Sequence, residues 1–143
     1  MPQLLKTHRG QFTISTDPDR LDLDAICDFF TRAYWTLGRP RERTERALAN
    51  SLVFGLYDGK KQIGLARVVT DYAIFAYLCD VFIHEDYRGH GLGKWLMQTI
   101  HSHPDLQGLR RWVLATRDAH GLYEQFGWQP LDHPERWMNK FNG

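Results

Sequence analysis

Cysteine is scarce in this sequence: Cys27 and Cys79 are the only two among 143 residues. Both fall inside apolar patterns, so two buried thiols in a reducing compartment are expected, without a disulfide framework. Long apolar runs are missing too. None approaches the roughly 20 residues that span a bilayer, and Met1-Pro2-Gln3-Leu4-Leu5-Lys6 lacks the longer apolar core of a secretion signal. Neither sign of charge dominates, because 18 basic and 17 acidic residues leave a formal net charge of +1. A broad nucleic-acid or anionic-membrane surface needs a one-sided excess of Lys and Arg, so neither partner is expected. Seven histidines, including His101 and His103, raise the question of zinc. No Cys–His set has zinc-site spacing, and no metal is expected. What remains, at 43% hydrophobic and 24% charged residues, has the composition of a cytoplasmic globular protein with one domain over 1–143.

Phe12-Thr13-Ile14-Ser15-Thr16 alternates and predicts a first strand, closed by the Asp17-Pro18-Asp19 turn. Asp22 is a helix cap, and Leu23, Ile26, Cys27, Phe30 and Tyr34 trace one face of a helix ended by Gly38 and Pro40. A second, highly charged helix is expected from about Arg41 to Asn50. Leu52 to Tyr57 and Gln62 to Val69 form two strands around the Asp58-Gly59 hairpin signal. Phe75 to Ile83 is a central strand interrupted by Asp80. A helix carrying Leu92, Trp95, Leu96 and Ile100 follows and stops near Pro104. Then come a strand at Arg111 to Ala115, a short helix at Ala119 to Phe126 and a last strand at Trp137 to Phe141. Hairpins followed by β-α-β-α-β imply an α/β fold with a mixed sheet, distinct from a doubly wound parallel one.

Between the central strand and its helix lies Arg88-Gly89-His90-Gly91-Leu92-Gly93-Lys94. Alternating glycines let several backbone N–H groups converge, and the helix N-terminus adds a positive dipole, so phosphate oxygens suit the loop. A Walker loop, G-x-x-x-x-G-K-[ST], fails at Arg88 and at Trp95. A dinucleotide loop, G-x-G-x-x-G, fails at Lys94. The pattern R-x-x-G-x-G is met by Arg88, Gly91 and Gly93.

That pattern resembles the pyrophosphate loop of the GNAT superfamily of N-acetyltransferases. Val81-Phe82-Ile83-His84-Glu85-Asp86-Tyr87-Arg88 looks like the family's central strand entering its loop. Gly121-Leu122-Tyr123-Glu124-Gln125-Phe126-Gly127-Trp128 looks like its second signature. The resemblance implies the acyl-CoA N-acyltransferase fold, a central, mostly antiparallel mixed sheet flanked by helices. It also implies acetyl-CoA as cosubstrate, bound by Val81, Phe82 and Ile83 and by Arg88, Gly89, His90, Gly91, Leu92, Gly93 and Lys94.

Acetyl transfer to an amine needs a neutral amine, although an alkylammonium has a pKa near 10.4. It also needs a donor aimed at the carbonyl oxygen as charge develops there, and a proton for the departing thiolate. The resemblance assigns that last role to Tyr123 and the carbonyl donor to a backbone N–H around Val81 to Ile83. By residue type alone Tyr123 reads as a core tyrosine at helical spacing from Phe126; it is the flanking motif that favours the catalytic role. Asp80 is a candidate to take the amine's proton, with Asp118, His120, His84 and Glu85 as rivals and an Arg-paired structural carboxylate as the other reading. The family often has an asparagine shortly before the tyrosine, where Asp118-Ala119-His120 stands here. Acceptor sites in the family draw on the connection between the first two helices and on the central strands. Those regions hold Tyr34, Trp35, Arg39 and Tyr77. Aromatic walls with Arg39 would suit a small-molecule amine carrying a carboxylate; a core face beside a solvated basic helix start fits the same residues. Many family members are dimers, and Trp128 and Trp137, expected to be exposed, would suit a homodimer contact.

Overall fold

The hairpin that opens the fold is built from the most polar strand in the chain. In the computed structural model, which describes residues 2–143, β1 (Lys6–Arg9) pairs antiparallel with β2 (Phe12–Ser15), Lys6 facing Ser15. β1 is an edge strand with no buried side chain, so it carries no hydrophobic alternation from which to infer it. β2 turns Ile14 into the core.

The Asp22 carboxylate accepts the Ala25 N–H at 3.1 Å and starts α1 (Leu23–Phe30), which buries Ile26, Phe29 and Phe30. The helix stops before Tyr34, one turn short of the periodicity in the sequence. The Thr36 hydroxyl donates to the Phe30 carbonyl at 2.8 Å, and Tyr34–Thr36 forms a separate 3-10 turn. α2 (Arg41–Ala49) follows Pro40 and buries only Thr44 and Leu48.

β3 (Leu52–Asp58), β4 (Lys61–Thr70) and β5 (Phe75–Ile83) form the antiparallel centre. The chain then crosses through α3 (Leu92–Ser102) to β6 (Arg111–Val113), which lies parallel to β5, and into α4 (His120–Glu124). The sheet runs β1-β2-β3-β4-β5-β6, the mixed, mostly antiparallel arrangement expected. One face packs Phe54, Leu56, Ala66, Val68 and Leu78 against Leu92, Trp95, Leu96 and Ile100 of α3. The other packs Val53, Leu65 and Phe82 against α1.

The expected last strand does not form: 137–141 is irregular, and Met138 and Phe141 are exposed. Trp137 instead lies under the Arg111 guanidinium, 5.2 Å from its ring centroid. Trp128, expected on the surface, is half-buried against Trp112, Tyr123 and His101. Cys27 and Cys79 are free and half-buried. Among the described residues no helix is long and apolar enough to cross a membrane.

Candidate active site

Parallel strands β5 and β6 pair only from Phe75–Tyr77 to Arg111–Val113. β5 continues to Ile83 without that partner, which opens a gap in the sheet. Within the same stretch the β4 register slips between Leu65 and Arg67: Leu65 faces Phe82, but Arg67 faces Cys79. Asp80 and Val81 therefore both stand opposite Ala66. Asp80 takes a left-handed backbone with φ 51°, as an extra residue in a β-bulge can. Beyond the bulge the His84 N–H donates to the Ile63 carbonyl at 2.7 Å. Alternation then turns the Phe82 N–H toward β4 and leaves those of Val81 and Ile83 directed into the gap.

A 3-10 turn, Glu85–Tyr87, leads to the glycine loop. Gly89 and Gly91 adopt φ 84° and 74°, conformations that favour glycine. Gly91 is also the residue before α3, and it has no side chain with which to cap the helix. The first N–H groups of α3 are thus left to an outside acceptor, at the positive end of the helix dipole. Arg88 folds away from the helix end. Its Nε donates to the Ile83 carbonyl at 2.9 Å and its guanidinium lies over the Phe82 ring, so it clasps the loop to β5.

A cavity of about 400 Å³ joins these parts. Val81, Phe82, Ile83, Arg88, Gly89, Gly91, Leu92, Gly93 and Tyr123 line it; His90 and Lys94 stand exposed outside the lining. Trp35 closes one side, and Leu122 and Ala119 of the α4 region another. Tyr123 also lines a second cavity, of about 680 Å³, together with Tyr77, Trp112, His120, Glu124 and Trp137. The Tyr123 side chain therefore stands where the two cavities meet. Burial raises its pKa, and the nearby Tyr34 phenol adds to the effect.

Asp80 meets neither cavity wall; its side chain is 2% exposed. Oδ2 accepts from Arg39 Nη1 at 2.9 Å and Arg67 Nε at 2.8 Å, while Oδ1 accepts from Arg39 Nη2 at 3.3 Å and Trp35 Nε1 at 3.2 Å. Burial alone would raise its pKa. The two guanidinium groups outweigh that and hold it below the usual carboxylate range. Arg39 thus already has a carboxylate partner. Arg67 is the member of this cluster that sequence reasoning missed, although it interrupts the apolar run Ile63–Val69 much as Asp80 interrupts β5. Tyr34 is fastened elsewhere: its hydroxyl accepts the Arg117 N–H at 3.1 Å, and the Arg117 guanidinium lies 3.8 Å above its ring. The rival carboxylate Glu85 is gripped by Arg32 and pushed down to about 2. His101 and His103 point to different partners, Trp128 and the Gln3 carbonyl. Among the described residues no three His, Cys, Asp or Glu side chains gather closely enough for a metal.

The chain is similar to known proteins over most of its length. Residues 49–130 match the family described as an acetyltransferase (GNAT) domain. A solved Xanthomonas campestris structure, described as GNAT-family, is 42% identical with a TM-score of 0.89, over 92% of this chain and 93% of its own. A Gibberella zeae protein named as an acetyltransferase is 33% identical over 138 residues, 80% of this chain and 77% of its own. A Glycine max protein named as a histone acetyltransferase is 34% identical over 101 residues, but that match covers only 42% of its length.

Proposed function

The chain belongs to the GNAT family of acetyltransferases, and we propose that it moves an acetyl group from acetyl-CoA to the primary amine of a small molecule. One observation carries this reading: the β5–β6 gap leads from the uncapped end of α3, past the Val81 and Ile83 N–H groups, to the Tyr123 side chain. The chain's own residues fit an extended, phosphate-ended thioester. Left-handed Gly89 and Gly91 and the first turn of α3 suit a pyrophosphate. The free edge of β5 suits an arm that pairs through main-chain atoms.

Acetyl-CoA supplies the activated acetyl group. In this reading the Val81 N–H stabilises the charge that develops on the carbonyl oxygen. Tyr123, a neutral phenol, holds the proton that the departing thiolate takes. The acceptor enters from the larger cavity, where His120 and Glu124 stand beside Tyr77 and Tyr123 on the walls, and His120 or Glu124 passes the proton that the ammonium sheds to solvent. Tyr77 and Trp137 give those walls an aromatic character, and among the described residues no Arg or Lys lines them. That favours an amine on an apolar body over an acidic acceptor, since Arg39 is committed to Asp80.

Thiol release from acetyl-CoA, measured across arylalkylamines, polyamines, amino sugars, acidic amino acids and a histone-tail peptide, tests the proposal. Turnover should be highest with an arylalkylamine. Turnover confined to the peptide would replace the small molecule with a protein acceptor. Coenzyme A binding with no release for any amine would make the chain an acyl-CoA-binding protein without turnover.

A further inference from the structure

Asp80 reaches neither cavity, yet it sits in the strained residue of the strand that presents the proposed carbonyl donor. Before the bulge, the Arg111 N–H donates to the Ile74 carbonyl, and Ala76 and Leu78 turn their side chains toward α3. In that phase the even-numbered residues of β5 address β6. After the bulge the phase is inverted. His84 and Phe82 address β4, and Phe82 turns its side chain to the α1 face. An unbulged β5 would aim the Val81 N–H into the β4 ladder and leave the gap without it.

The inversion needs a residue that stays left-handed, and Asp80 is held so from three sides. Arg67 grips it from the neighbouring strand, while Arg39 and Trp35 grip it from the segment between α1 and α2. Those bonds fasten the left-handed residue to two other elements. We infer that Asp80 is a positioning residue for acetyl transfer: its left-handed backbone sets the β5 bulge that turns the Val81 N–H toward the acetyl carbonyl, and its ion pairs with Arg39 and Arg67 anchor that bulge. The inference rests on the acetyltransferase reading for its functional half, and on the bulge alone for its structural half.

Four variants separate this role from proton abstraction. Asp80→Asn and Asp80→Gly both tolerate a positive φ. Asp80→Ala tolerates it less, and Asp80→Val least, because a β-branched residue is a strong outlier there. Loss of a backbone donor at a developing oxyanion costs on the order of 10²-fold or more in kcat. Asn and Gly should therefore keep kcat at least about tenfold above Val, with Ala between them. The dissociation constant for coenzyme A should stay within about threefold throughout, since the loop and α3 hold the pyrophosphate. A group that accepts the amine's proton would give equal, near-complete loss in all four.

Hydrogen exchange at the Val81 amide of the free protein supplies a second readout. Exchange should stay fast in Asn and Gly, where the bulge keeps this N–H facing the gap, and slow in Ala or Val, whichever folds, as the N–H enters the β4 ladder. Equal kcat in Gly and Val, or Val81 exchange as fast as in the wild type in every Ala or Val variant that folds, would overturn the inference. If the wild type releases no thiol with any amine, the functional reading fails while Val81 exchange still tests the bulge.

Discussion

Replacing Gly91 by valine tests whether the loop works through its backbone. Gly91 has φ 74° and ψ 11°, and a Cβ added there would meet no atom within 4 Å. The cost is therefore conformational, with no steric clash in the free protein. An L residue held left-handed costs roughly 1–2 kcal/mol, and a β-branched side chain lies at the upper end. That cost has two places to appear. If the loop relaxes in the free protein, binding must restore the left-handed turn, and affinity falls by roughly 5- to 30-fold at about 1.4 kcal/mol per decade. If α3 prevents relaxation, the same energy is lost from stability. Titration calorimetry with acetyl-CoA and thermal unfolding on one preparation measure both. The expected division favours affinity, roughly tenfold or more, because the loop is exposed. Gly91→Asn should lose no more than about threefold, since asparagine visits this region readily. Unchanged affinity and stability in the valine variant would refute the reasoning. So would an asparagine variant as impaired as valine.

Gly64 faces Ile83 across the β4–β5 ladder, and an added Cβ would lie 2.7 Å from the Phe82 carbonyl oxygen. Gly64→Ala should cost about 1–3 kcal/mol by overpacking against backbone, visible as a lower melting temperature; an unchanged one would mean that the strands separate freely. His101 is the pH-sensitive element. Its Nε2 accepts the Trp128 indole N–H at 3.0 Å, and burial lowers its pKa from 6.5. The unfolded chain therefore takes up the proton first on acidification. Stability is full above pH 6.5 and declines as pH falls toward the depressed folded value. His101→Phe should flatten that part of the melting-temperature profile, and a wild-type profile that rises on acidification would contradict the assignment.

Much of this architecture is legible in the residues, and the exceptions have physical causes. The glycine loop could be recognised because positive φ demands glycine whatever surrounds it. The central strands and α3 carry their periods openly because each has one buried face. β1 escaped notice because an exposed edge strand buries nothing. The strand expected at 137–141 has apolar residues but does not join the sheet: the Trp137 N–H turns back to the Pro134 carbonyl at 3.1 Å, and its ring lies under the Arg111 guanidinium. α1 ended early because Thr36 claims the Phe30 carbonyl, a tertiary event that no helical period records. Asp80 stood out in the sequence, but its direction could not be read. Its direction follows from a bulge on β5 and from Arg67, which holds its carboxylate from another strand, and neither leaves a mark in the local pattern. Arg39 drew attention beside aromatic residues, where a substrate partner and a protein partner look alike.

Tyr123→Phe tests the central claim most directly, because it removes one oxygen and keeps the ring that packs beside Trp128. General acid catalysis contributes on the order of 10²- to 10⁴-fold. With the best amine, kcat should fall by at least about 30-fold, while affinity for coenzyme A changes by less than about threefold. A variant that turns over at the wild-type rate would contradict the account and leave Tyr123 a packing residue between two cavities.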